Sequence, residues 1–144
     1  MNLLIASVLA AGELVCDFPG PYRRSVIANL AHEAPRNGQM IVYEAIAPDS
    51  ARAISSAQPG RRAVRVEATG QAVHFIQPEG ASTRVTTLTS CERWRTKKGL
   101  DVCVRFAARH AWHFDAAVYS DPDAAFANLP PGAGAGSCEP WQID

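Results

Sequence analysis

The chain has 144 residues, 47% of them hydrophobic and 19% charged, with fourteen Lys and Arg balanced by fourteen Asp and Glu. That is the length of one domain with enough apolar material to bury a core, so neither disorder nor a second domain is expected. The zero net charge hides a pattern, because eleven Lys/Arg and only four Asp/Glu lie between Arg52 and Arg109, a local +7, and the rest of the chain compensates with −7. Either the acidic ends fold back over the basic middle, or that middle is a patch for an anionic partner.

Residues 3–11 (LLIASVLAA) form a nine-residue apolar run followed by Gly12. This is the length of the apolar centre of an export leader and far short of the ~20 residues a membrane span needs. Val8-Leu9-Ala10 or Leu9-Ala10-Ala11 would serve as the cleavage site, although only the α-amino group supplies positive charge before the run. On this reading residues 1–11 are a signal peptide and 12–144 a single β-rich domain in the periplasm or outside the cell. The alternative makes the same run a first core strand.

Four cysteines, Cys16, Cys91, Cys103 and Cys138, are an even set with no CxxC pair, which argues against zinc and thioredoxin chemistry. In an exported chain they predict two disulfides. Cys91 with Cys103 suits an antiparallel hairpin with Trp94 opposite Leu100 and a turn centred on Lys97. Cys16 with Cys138 then ties the first strand to the tail.

In chain order, residues 13–18 read as an opening strand, and residues 23–34 fit a strand or a helix. Residues 40–47 and 51–57 are further strands. Residues 63–68 and 72–77 form a hairpin around Thr69-Gly70, with Val66 facing Val73 and Arg65 facing His74. Residues 82–93 pair with the longest alternating stretch, 101–115, where Val102, Val104, Phe106, Ala108, His110, Trp112 and Phe114 fall on one face. Cys103, Arg105, Arg109, His113 and Asp115 fall on the other. Asp121, Pro122 and Asp123 start a short helix over 121–129, and the Gly/Pro-rich tail, 130–144, reads as a flexible connector reaching Cys138. The sum is an all-β, mainly antiparallel up-and-down meander of seven or eight strands, a lipocalin-like small barrel or curled sheet with one short C-terminal helix. A two-sheet sandwich or open sheet covered by the helix is the alternative.

Three groups of residues carry the functional expectations. Arg61, Arg62, Arg65, His74, Arg105 and Arg109 make a basic sheet face for an acidic protein or an anionic envelope polymer. Nucleic acid is not expected there, since Phe75 and Phe106 face inward and leave no stacking platform. His110, Trp112 and Phe114 border any barrel cavity for a small apolar ligand, the bland reading being a neutral, hydrogen-bonded core histidine. His113 with Asp115 is a weak metal or acid–base candidate, two ligands without a third. Glu92 and Asp101, beside the Cys91–Cys103 turn, make a carboxylate pair that solvation explains equally well. Nucleophile elbows, phosphate loops and HExxH are absent, so no cofactor is expected. The leading expectation is a non-enzymatic exported binding protein for an anionic partner, with a small-molecule carrier second.

Overall fold

The computed structural model describes residues 3–19, 39–56, 58–79, 82–114 and 132–141. Among these, one helix, α1 (Leu3–Ala11), precedes eight strands. They are β1 (Leu14–Phe18), β2 (Gln39–Glu44), β3 (Ser50–Ser55), β4 (Gln58–Thr69), β5 (Ala72–Glu79), β6 (Ser82–Lys97), β7 (Leu100–Phe114) and β8 (Gly132–Pro140). Each strand pairs antiparallel with the next, and β8 returns to β1, closing an all-β barrel. Closure removes the exposed edges that a meander this long would otherwise leave.

The eighth strand comes from the tail. Residues 132–140 are not a flexible connector but the closing strand, paired to β7 from Phe106↔Cys138 to Trp112↔Gly132 and to β1 from Leu14↔Pro140 to Asp17↔Ser137. Its alternating glycines hid it, since glycine is depleted in strands and raises no strand signal. Gly136 shows why glycine is needed here. A Cβ on it would lie 2.0 Å from the Asp17 carbonyl oxygen and 2.8 Å from Cδ1 of Phe18.

Alternation holds along β7, where Val104, Phe106, Ala108 and His110 are buried while Arg105 and Arg109 are exposed. Cys103 departs from it. Placed outward by strict period, it is fully buried, because the β6–β7 register shifts at Leu88/Ser90, Cys91/Arg93 and Arg93/Trp94. The same bulges correct the hairpin register. Lys97 faces Leu100, Trp94 faces Cys103, and the turn is Lys98-Gly99, with φ of 52° and 78°. Two successive positive φ values mark a type I′ turn, whose twist matches the strands it joins. Likewise the β4–β5 loop is Gly70-Gln71, which moves Val66 opposite Phe75 and Glu67 opposite His74. That two-residue slip leaves every side chain on its expected face.

Both expected disulfides form, Cys16–Cys138 across the β1–β8 seam and Cys91–Cys103 within the β6–β7 hairpin. α1 is neither strand nor exposed. Leu and Ala favour a helix, and Leu4, Ile5 and Val8 enter the same buried cluster as Val73, Leu88 and Phe106. The helix packs against β5, β6 and β7, and Ser7 Oγ accepts a hydrogen bond from the Cys103 backbone N–H at 3.2 Å. No helix among the described residues is long and apolar enough to cross a membrane. The segment 23–34, the helix expected over 121–129 and Asp115 lie outside the described residues.

Candidate functional site

Inside the barrel, polar side chains meet across the bore. Tyr43 reaches from β2 to β6, where its hydroxyl lies 2.5 Å from Thr86 Oγ1, and Thr86 Oγ1 lies 2.9 Å from Nδ1 of His110 on β7. Tyr43 stacks on Phe75 with ring centroids 4.2 Å apart, and Phe18 leans over the glycines of β8 to within 5.2 Å of the His110 ring. Burial pushes the Tyr43 hydroxyl pKa well above its ordinary value, so it stays protonated and donates. Burial, helped by the positive charge of Arg84, pulls His110 down to about 4. At neutral pH Thr86 Oγ1 joins the Tyr43 hydroxyl to Nδ1 of an uncharged His110 ring, and the sense of the Thr86–His110 bond follows the ring's tautomer. His110 is thus a buried, hydrogen-bonded histidine at 1% exposure. The side chains of Trp112, His113 and Phe114 are outside what the structure describes. Register alone places Trp112 opposite Arg84 and His113 opposite Thr83. Among the described residues no group of three or more His, Cys, Asp or Glu is placed to hold a metal ion.

The outer-face arginines are exposed, but several are held by carboxylates. Arg61 Nε meets Glu44 at 2.5 Å, Arg65 meets Glu67 at 3.0 Å, and Arg105 lies 3.0 Å from Glu92 and 3.7 Å from Glu139. Arg93 reaches the same Glu139 at 3.9 Å. Glu44 and Glu139 belong to the acidic ends, so this part of the charge asymmetry is the ends folding back over the middle. Glu92 is thus an ion-pair partner, and Asp101 Oδ1 accepts from Thr96 Oγ1 at 2.9 Å, so the two do not act as a carboxylate pair. His74 is bracketed by Thr69 and Thr87, at 2.8 and 3.0 Å.

A concavity lined by described residues lies at the α1 end of the barrel. β5 pairs with β6 only as far as Leu88, and β8 with β7 only from Phe106 onward. Beyond those points β6 and β7 continue as a two-stranded ribbon, six residues on the β7 side, or about 20 Å at about 3.3 Å per residue. Such a ribbon is marginal by itself, and Cys91–Cys103 staples its base. One face carries Arg95 and Lys97 with Leu100 and Val102, since cross-strand partners share a face. Arg95, Lys97 and Val102 of that face line a groove of about 610 Å³ together with Ala10, Ala11, Gly12, Glu13, Val104 and Trp141. Trp141 is 56% exposed. Among the described residues Lys97 makes no ion pair.

None of the residues expected to form a site lines this groove except Cys103. A signal was present in CERWRTKKGLDVC, which sets Trp94 and four cations between two cysteines. What sequence lacked was the relative length of the neighbouring strands, which leaves the ribbon standing clear of the wall. No protein family, curated protein or solved structure matches the chain.

Proposed function

We propose that this is an exported, non-enzymatic binding protein whose site is the groove under the stapled β6–β7 ribbon, and that it captures a small anionic partner there. One observation carries the reading: a concavity of ligand size whose mixed lining sets two cations, Arg95 and Lys97, against a single carboxylate, Glu13, beside Val102, Val104 and an exposed tryptophan. Two disulfides suit an oxidising compartment, and residues 1–11 suit an export leader. The basic sheet face is less suited to the role, because Arg61, Arg65 and Arg105 are held by carboxylates, whereas Lys97 at the groove makes no ion pair among the described residues. The carrier reading at the His110 end is less suited too, because Tyr43, Thr86 and His110 bond to one another across the bore.

Titration with anilinonaphthalene sulfonate, an anionic aromatic probe, tests the assignment. Reversing both groove cations (Arg95→Glu with Lys97→Glu) lowers affinity roughly tenfold or more, as two exposed charge contacts would. Wild-type binding weakens as salt is raised. Arg65→Glu with Arg109→Glu leaves binding unchanged. The opposite ranking of the two variants moves the site to the sheet face and ends this proposal.

A further inference from the structure

α1 is one wall of the groove, and it also fills the barrel end behind that wall. Ala10, Ala11 and Gly12 line the groove, while Leu4, Ile5 and Val8 are packed into the core against β5, β6 and β7. Every strand and both disulfides lie within Leu14–Pro140, so the closed sheet and its two staples contain no residue of 1–11. Two backbone hydrogen bonds pin the residues just after the helix. Gly12 O accepts from Ile46 N–H at 3.1 Å, and Glu13 O accepts from Trp141 N–H at 3.4 Å.

We infer that removal of residues 1–11 arms the binding site, and that the ligand of the processed protein is an amphiphile with one anionic head and an alkyl chain. Hydrolysis of the peptide bond after Ala10 or Ala11, with water supplying the new carboxylate and amine, does three things at once. It takes Leu4, Ile5 and Val8 out of the barrel, so the groove runs on into an apolar recess bounded by the strands α1 had covered. It releases the Cys103 N–H from Ser7 Oγ, leaving a donor on the recess wall beside the groove. It also creates an α-ammonium group at the groove lip, charged at neutral pH and held there by the Gly12 and Glu13 backbone bonds. With Arg95 and Lys97 also lining the groove, three cationic groups outweigh the Glu13 carboxylate at the mouth while the recess is apolar, which fits a head and a tail respectively. The unprocessed chain, with its own apolar helix in the recess, accepts only the head. This inference rests on the groove being the binding site and adds what enters it.

The experiment compares two forms of the protein, identified by intact mass: the full chain refolded with its disulfides oxidised, and the processed chain recovered after export. Each is titrated with hexanoate, decanoate, dodecanoate and dodecylammonium. For the processed form, affinity rises with chain length by up to about fourfold per methylene that enters the recess. Dodecanoate binds better than dodecylammonium, and Arg95→Glu with Lys97→Glu removes that preference. The full chain shows no gain with length. A processed form whose affinity is flat with length but still falls on charge reversal overturns the recess and keeps the groove. Affinity that rises with length yet ignores charge reversal overturns the groove assignment. Retention of residues 1–11 in the exported protein overturns the arming step.

Discussion

Acid should weaken this protein through one residue in a predictable window. His110 is neutral in the folded state, its proton affinity lowered to about 4 by burial and by Arg84, whereas in an unfolded chain it titrates near 6.5. Below about pH 6.5 the unfolded state therefore takes up a proton that the folded state refuses until about pH 4. Since the unfolded state binds more protons across that window, stability falls as pH falls through it and is fully present above it. At about 1.4 kcal/mol per decade of proton affinity the loss reaches about 3 kcal/mol, a sizeable share of the ~5–15 kcal/mol that typically separates folded from unfolded. The hydrogen-bond string gives the structural counterpart. Protonation puts an N–H on both ring nitrogens, so Nδ1 can only donate to Thr86, and an added positive charge sits near Arg84. Urea midpoints taken from neutral pH down to about pH 4 measure the slope. His110→Gln supplies the control, keeping a polar partner for Thr86 while removing the titration. A wild-type curve flat across this window, or a variant as acid-sensitive as wild type, would refute the reasoning.

The two disulfides should differ in worth and in consequence. Replacing Cys16 and Cys138 by alanine opens a loop with a separation of 122 residues and costs about 5 kcal/mol, against about 3 kcal/mol for Cys91 and Cys103 with a separation of 12; urea midpoints rank them. The Cys91→Ala, Cys103→Ala variant should also lose binding of anilinonaphthalene sulfonate while the barrel stays folded by near-ultraviolet circular dichroism. Gly136→Ala should lower stability by about 1–3 kcal/mol or more, because its methyl group meets the Asp17 carbonyl and Phe18; a variant melting with wild type would show that the β1–β8 seam has slack.

Much of the barrel was legible because its strands are half-buried and keep a period of two, from Val64 and Val66 to Phe106 and His110. Of the three pairings that four cysteines allow, the one observed was favoured by reading Cys91 and Cys103 as opposite arms of one hairpin. Three features were not legible, each for a physical reason. β8 is written in glycine and alanine, chosen for what they leave out: room for Phe18 beside β7. Bulges at Thr89 and Glu92 of β6 slipped the hairpin register, a further one at Val104 of β7 turned Cys103 inward, and a bulge leaves no mark in hydrophobic alternation. The Tyr43–Thr86–His110 string joins β2, β6 and β7 across the bore, so no local pattern announces it.

The charge pattern, ambiguous at first, separates into two parts once the strands are placed. On the barrel wall, glutamates from the acidic ends meet the arginines of the middle, as Glu44 meets Arg61 and Glu139 meets Arg105. Exposed pairs of this kind add little stability, but they cancel the field at the wall. The ribbon carries Arg93, Arg95, Lys97, Lys98 and Arg105 against Glu92 and Asp101, and Glu139 of β8 offsets Arg93 and Arg105 at its base, so the positive excess that is left gathers toward its tip. A ribbon with no neighbours would fray if it were left unsupported. The Cys91–Cys103 bridge at its base restrains that fraying, and the bulges above it set Arg95 and Lys97 facing the groove. A staple at the base of the ribbon, with Cys103 anchored in the core and Arg95 and Lys97 lining the groove, makes sense if the ribbon must present those charges at a fixed height.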